Sequence, residues 1–133
     1  MTSPKAGLAA FPTLTSARHE GLTVFVRGLA IEAGIGIHDH EIGRLQTLII
    51  DVTLEMGPQA VTRLADTVNY ETIAEAARAI AAEGHIGLVE SFAERLALAV
   101  LADERVRRVI VRIEKPGALD GAVAPGCEVV FGR

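Results

Sequence analysis

The sequence predicts an α+β domain of order strand-strand-helix-helix-strand-strand, a four-stranded antiparallel sheet with both helices on one face. Three observations carry that reading. Residues 70–102 hold two successive apolar stripes at helical spacing: Ile73, Ala76, Ala77, Ile80 and Ala81, then Val89, Phe92, Ala93, Leu96 and Val100. Gly84-His85-Ile86-Gly87 separates them, since glycine costs a helix interior about 1 kcal/mol relative to alanine. Strand-like runs lie on both sides, two before and two after, and they supply the surface on which each stripe must be buried.

In chain order, residues 1–20 read as a loosely held N-terminal extension and residues 21–133 as a single domain. Lys5 and the small apolar residues after it faintly resemble a signal sequence, but Pro12 cuts the stretch short. Leu8, Phe11 and Leu14 are available to dock on a neighbouring surface. Residues 22–27 alternate and are β-branched, which predicts a strand, with Gly28 marking a bulge or bend. Residues 34–43 are punctuated by glycine and read as a turn or irregular loop.

Residues 45–55 form the second strand, with Leu48, Ile50, Val52 and Leu54 on one face and Thr47, Asp51, Thr53 and Glu55 opposite. That half-polar pattern suits an antiparallel sheet covered on one side, and Gly57-Pro58 ends it. Asn69 is placed to cap the first helix, with Glu71 favourable in its first turn. Residues 106–114 give the third strand, stopped by Lys115-Pro116-Gly117, and residues 127–131 the fourth. One uncovered face and two open edges are a liability that pairing with sister subunits removes.

A chain of 133 residues can bury about two thirds of its unfolded surface, and 50% hydrophobic with 23% charged residues argues against disorder. Thirteen basic against seventeen acidic side chains, with no basic run, speak against nucleic acid. The longest apolar run near a helix end, residues 96–102, is far below the ~20 residues that span a bilayer. The single cysteine, Cys127, excludes an intramolecular disulfide and a cysteine-built zinc site, and a cytoplasmic setting fits. Lys115 and Lys5 are the two lysines beside eleven arginines, and Tyr70 is the one tyrosine.

Four positions invite a chemical question: Glu41, Tyr70, Glu90 and Lys115. Each has a plain alternative: a solvated loop carboxylate, a packing aromatic, a helix-dipole partner, an edge-strand gatekeeper. Glu90 does face Glu94 one turn on, a repulsive pairing that does nothing for an exposed helix. His38 and His40 could point two imidazoles the same way, but zinc needs a third ligand. Neither His85 nor His19 is at ligand spacing, so these read as exposed loop histidines and no metal is expected.

Taken together, the motifs are recognisable. Ile35-Gly36-Ile37-His38-Asp39-His40-Glu41, then Gln46, then Asp51-Val52-Thr53-Leu54 resemble dihydroneopterin aldolase of the folate pathway. Asp66-Thr67-Val68-Asn69-Tyr70, Leu88-Val89-Glu90 with Ala93-Glu94-Arg95, and residues 111–117 continue the resemblance in order, from about Leu22 to the C-terminus. It implies a tunnelling fold (T-fold), whose ββααββ subunits join their sheets into a barrel, as a homo-oligomeric tetramer or octamer with sites shared between subunits.

The activity implied is retro-aldol cleavage of 7,8-dihydroneopterin, a small-molecule pterin, to 6-hydroxymethyl-7,8-dihydropterin and glycolaldehyde. No cofactor, metal or lysine Schiff base is implied, and a C2′ epimerase side activity is. By resemblance Glu90 anchors the pterin, Lys115 is the catalytic lysine, and Tyr70 and Glu41 assist. The backbone at Val68, Leu88 and Val89 holds the ring. The chain departs from the family at His38, where an aromatic is frequent, which bears on side-chain selectivity.

Two rivals remain open. A dihydroneopterin triphosphate 2′-epimerase of the same fold would want a basic patch, whereas the loops near the site read as acidic. A non-catalytic pterin-binding oligomer is the other.

Overall fold

The alternating run that starts at Leu22 does not stop at Arg27. In the computed structural model, which describes residues 11–133, strand β1 spans Leu22–Gly34 and pairs antiparallel with β2, Leu45–Gly57. Between Val26 and Leu29 the register shifts, and Gly28 sits there at a φ of 73° with its N–H donated to Asp51 Oδ1 at 2.7 Å. This is the bulge that Gly28 predicts. The extra residue changes the phase, so Leu29, Ile31 and Ala33 continue the inward face that Val24 and Val26 begin. A strict period of two therefore ends at the bulge although the strand does not. The loop expected over residues 34–43 runs from 35 to 44 and includes one 3-10 turn, Asp39–Glu41.

β3, Arg108–Glu114, and β4, Gly126–Gly132, complete one antiparallel sheet of order β1-β2-β3-β4. Val26, Val52, Val111 and Val129 lie in one row across all four strands, and Val24, Leu54, Val109 and Phe131 in the next. Both rows face the helices. The sheet is thus the ββααββ arrangement expected, with β1 and β4 at its edges.

Helix α1, Tyr70–Ala82, begins where the Asn69 side chain accepts the Glu71 N–H at 3.0 Å. It buries Ile73, Ala77 and Ile80. Helix α2, Val89–Leu101, buries Phe92, Ala93, Leu96, Ala97 and Val100. The two run antiparallel: Thr72, Ile73 and Ala76 at the head of α1 border one cavity with Ala99 and Val100 at the tail of α2. At the opposite end the interhelix loop is tied to the end of β1. Gly36 N–H donates to Ile86 O at 3.0 Å and Ile86 N–H to Gly34 O at 2.9 Å.

Among the described residues no helix is long and apolar enough to cross a membrane. Residues 11–21 have no regular secondary structure, and Phe11 and Leu14 are exposed. Leu8 lies outside the described residues.

The start of β4 allows no side chain. A Cβ on Gly126 would lie 2.0 Å from the carbonyl oxygen of Ile113, and the other near atoms are backbone too. Gly126→Ala is expected to cost about 1–3 kcal/mol by overpacking. Gly21→Ala, where a Cβ meets nothing within 4 Å, should stay within about 0.5 kcal/mol. Urea melts of both variants check this, and equal midpoints would refute it.

Candidate active site

Glu41 ends the 3-10 turn and is the buried charged side chain of the described residues, 4% exposed. Burial of a carboxylate is tolerable only when its oxygens are satisfied. Here Oε2 accepts from Lys115 Nζ at 2.8 Å and from Gln46 Nε2 at 2.9 Å. Oε1 accepts the His38 N–H at 3.3 Å. Gln46 is itself fixed by donating to Ile35 O at 2.8 Å. Gly36, at a φ of 122°, passes so close that a Cβ there would overlap the Glu41 carboxylate at 2.2 Å. Chiefly through the Lys115 hydrogen bond, and then through Gln46, the Glu41 carboxyl is pulled from its ordinary 4.5 down to about 2.

Lys115 follows directly on β3, an interior strand, so it is no edge gatekeeper. Its backbone N–H donates to Pro125 O at 2.9 Å, which locks it to the turn before β4. Lys115 and Glu41 open on a cavity of about 530 Å³ shared with His38, His40, Arg44 and Gln46. His38 and His40 are exposed, as expected, with rings stacked at 5.6 Å. The wall is basic. The loops do carry Asp39, Glu41 and Asp120, but the expectation of an acidic site is corrected at the cavity wall: neither Asp39 nor Asp120 lines it, and Glu41 is neutralised by Lys115.

Leu88, Val89 and Glu90 form the head of α2, at the same end of the domain. Leu88 occupies the cap position without a side-chain hydrogen bond, so the first N–H groups of the helix are free of a side-chain cap. Glu90 is exposed and makes no ion pair among the described residues. It lies near Cys127 at the start of β4: burial first, then the Glu90 and Glu94 carboxylates, push the Cys127 thiol up.

Val68 and Tyr70 are at the other end. Antiparallel helices of 13 residues separate the head of α1 from the head of α2 by about 20 Å along the axis. Tyr70 is 62% exposed there and Val68 is buried. Sequence reasoning missed what holds this segment. Arg105 Nη1 donates to Ala65 O at 2.8 Å and Thr67 O at 2.6 Å, while Nε and Nη2 grip Asp103 at 3.0 and 2.7 Å. The Arg105 guanidinium holds the Asp103 carboxyl below its usual range. One polar fork thereby pins the backbone just before Val68. Nothing in the local pattern at Arg105 signals a partner some forty residues away.

The family model described as FolB, dihydroneopterin aldolase, matches residues 24–130. The chain belongs to the dihydroneopterin aldolase family. The aldolase of Streptomyces coelicolor is 34% identical over 98 residues, 71% of this chain and 82% of the relative. That of Escherichia coli is 29% identical over 113 residues, 83% and 93%. Among solved structures, FolB of Vibrio cholerae has a TM-score of 0.77 at 27% identity, covering 84% of this chain and 97% of that one. The Escherichia coli aldolase in complex with neopterin scores 0.73 at 28% identity, covering 83% and 98%. A Burkholderia dihydroneopterin aldolase bound to guanine scores 0.73 at 26% identity, covering 86% and 93%. These aldolases share the T-fold subunit, four antiparallel strands and two helices.

The Glu41 pair sets a pH dependence of stability. A carboxyl whose folded pKa is depressed stabilises above its unfolded pKa and loses that contribution as pH falls through the folded one. Glu41→Gln leaves Lys115 without its counter-charge, so at pH 7 it should unfold at lower urea than the parent. That gap should close as pH falls from 4.5 toward about 2. Urea midpoints across this range test it, and a gap independent of pH would show that Glu41 contributes no charge.

Proposed function

We propose that the chain performs the aldolase reaction of its family with Lys115 and Glu41 as the proton-handling pair and the head of α2 as the pterin anchor. The observation that carries this reading is the Lys115–Glu41 contact, 2.8 Å, almost buried, at the wall of a cavity large enough for substrate. In 7,8-dihydroneopterin the C1′–C2′ bond breaks when the 2′-hydroxyl loses its proton. The electron pair passes through C1′ and C6 to N5 of the C5–C6 imine, and protonation of C1′ then gives the hydroxymethyl product. The substrate is its own electron sink, so the protein needs to move protons and hold the reactants in register. Lys115 Nζ, aimed by Glu41, orders the water that takes and returns the proton. Glycolaldehyde that re-adds with its other face epimerises C2′.

The pterin ring presents N–H and amino donors on one side and a carbonyl next to them. Glu90 accepts the two donors in parallel, and the uncapped N–H groups at Leu88–Glu90 meet the carbonyl. Guanine and neopterin, the ligands of two related aldolases, carry this same edge. The backbone at Val68 completes the ring's pocket and Tyr70 the proton path. These two lie some 20 Å from Glu90 in one chain, so a second copy supplies them. The exposed edges of β1 and β4 are where copies join, as a tetramer or octamer.

Turnover of 7,8-dihydroneopterin with detection of both products tests the reaction. Glu90→Ala should remove measurable pterin affinity, because the ring donors are desolvated without partners. Lys115→Ala should retain most affinity and lose turnover by at least about a hundredfold. Normal turnover by Lys115→Ala would overturn the proton assignment.

Shared sites predict complementation. Tyr70→Phe and Lys115→Ala, each nearly inactive alone, should regain roughly a quarter of parental activity when refolded together in equal amounts. Mixing preformed oligomers should restore none. Verified mixed oligomers without recovery would place Tyr70 and Lys115 in one chain's site.

A further inference from the structure

The cavity beside Lys115 holds more positive charge than cleavage of a neutral triol requires. Its lining carries two cations, Lys115 and Arg44, and two imidazoles, His38 and His40, against the single carboxylate of Glu41. Glu41 is committed to Lys115 at 2.8 Å, and the two charges cancel. Arg44 remains. Arg27, Arg44, Arg78, Arg107 and Arg133 take part in no ion pair of the described residues, and of these Arg44 is the one that lines this cavity. Next to it the His38 and His40 rings stand parallel, 5.6 Å apart with 3° between their planes. Each imidazole offers at least one N–H donor in either charge state.

An unpaired guanidinium fork with two imidazole donors on one wall suits the oxygens of a phosphate group. The geometry points to a subsite for a phosphate monoester at the far end of the substrate side chain. The enzyme then takes the 3′-phosphate of 7,8-dihydroneopterin at least as well as the free triol. This assignment rests on the aldolase reading above. The chemistry is unchanged: the C1′–C2′ bond breaks, N5 receives the electrons, and no bond to phosphorus forms or breaks. The released fragment is glycolaldehyde phosphate in place of glycolaldehyde.

The test compares kcat/KM for the triol and its 3′-phosphate with the assembled enzyme, as parent, as Arg44→Gln and as the His38→Asn/His40→Asn double variant. The expected parental ratio of ester to triol is one or more. In Arg44→Gln it should fall about tenfold to a hundredfold, mainly through KM of the ester, as loss of a charged hydrogen bond implies. The double variant should lower it in the same direction, and inorganic phosphate should compete with the ester more strongly than with the triol. Arg44 is exposed, so the variant keeps its fold, and an unchanged melting profile checks that. Cleavage of the triol with about tenfold or greater discrimination against the ester overturns the subsite and leaves the aldolase reading standing. So does a ratio unmoved by Arg44→Gln. Cleavage of neither compound overturns both.

Discussion

A buried ion pair ties the two halves of the sheet together at the site. Glu41 comes from the loop after the first strand and Lys115 from the end of the third, 74 residues on. Each charge alone would be costly at that depth. Together, with Gln46 and the His38 N–H as further donors to the carboxylate, they form one polar unit. Two glycines make room for it. Gly36 lets the chain pass over the Glu41 carboxylate, and Gly126 lets the fourth strand start against the Ile113 carbonyl beside Lys115. The pair's geometry is therefore set by backbone packing on both sides rather than by the flexible lysine.

The second constraint is distance. A single chain carries the Glu41–Lys115 pair and the head of α2 at one end, and Val68 and Tyr70 at the other. The apolar core between them, with Phe92, Leu96 and Ile73 fully enclosed, keeps the two ends apart. What lies on the uncovered face is mixed. Phe25, Thr53, Ile110 and Val130 form one row across the sheet, while Arg108 pairs with Glu55 and Arg112 with Glu114 on either side. Such a face, with two unpaired strand edges, leaves backbone groups open to pairing with copies, in line with the shared sites proposed above.

Local charge also departs from the global balance. The chain is acidic as a whole, yet the cavity next to Lys115 is basic because the fold buries its one carboxylate against that lysine. Net charge decides solubility and bulk steering. Binding depends on which side chains share a wall.

The sequence by itself determined the order of elements, the helix cap at Asn69, the inward faces of the second and third strands, and the bulge at Gly28. These are local: periodicity, capping and glycine conformation act over a few residues. The family motifs also named Glu41, Tyr70, Glu90 and Lys115. Tertiary structure alone decided that β1 runs on to Gly34, because the bulge shifts the side-chain phase and hides the continuation from a period-two pattern. It also decided that Glu41 is buried rather than solvated, and that Arg105 clasps the carbonyls before Val68. Likewise, it set Tyr70 and Lys115 at opposite ends of one chain. Each of these depends on groups distant in sequence meeting in space, where burial and hydrogen-bond satisfaction are settled between elements rather than within them.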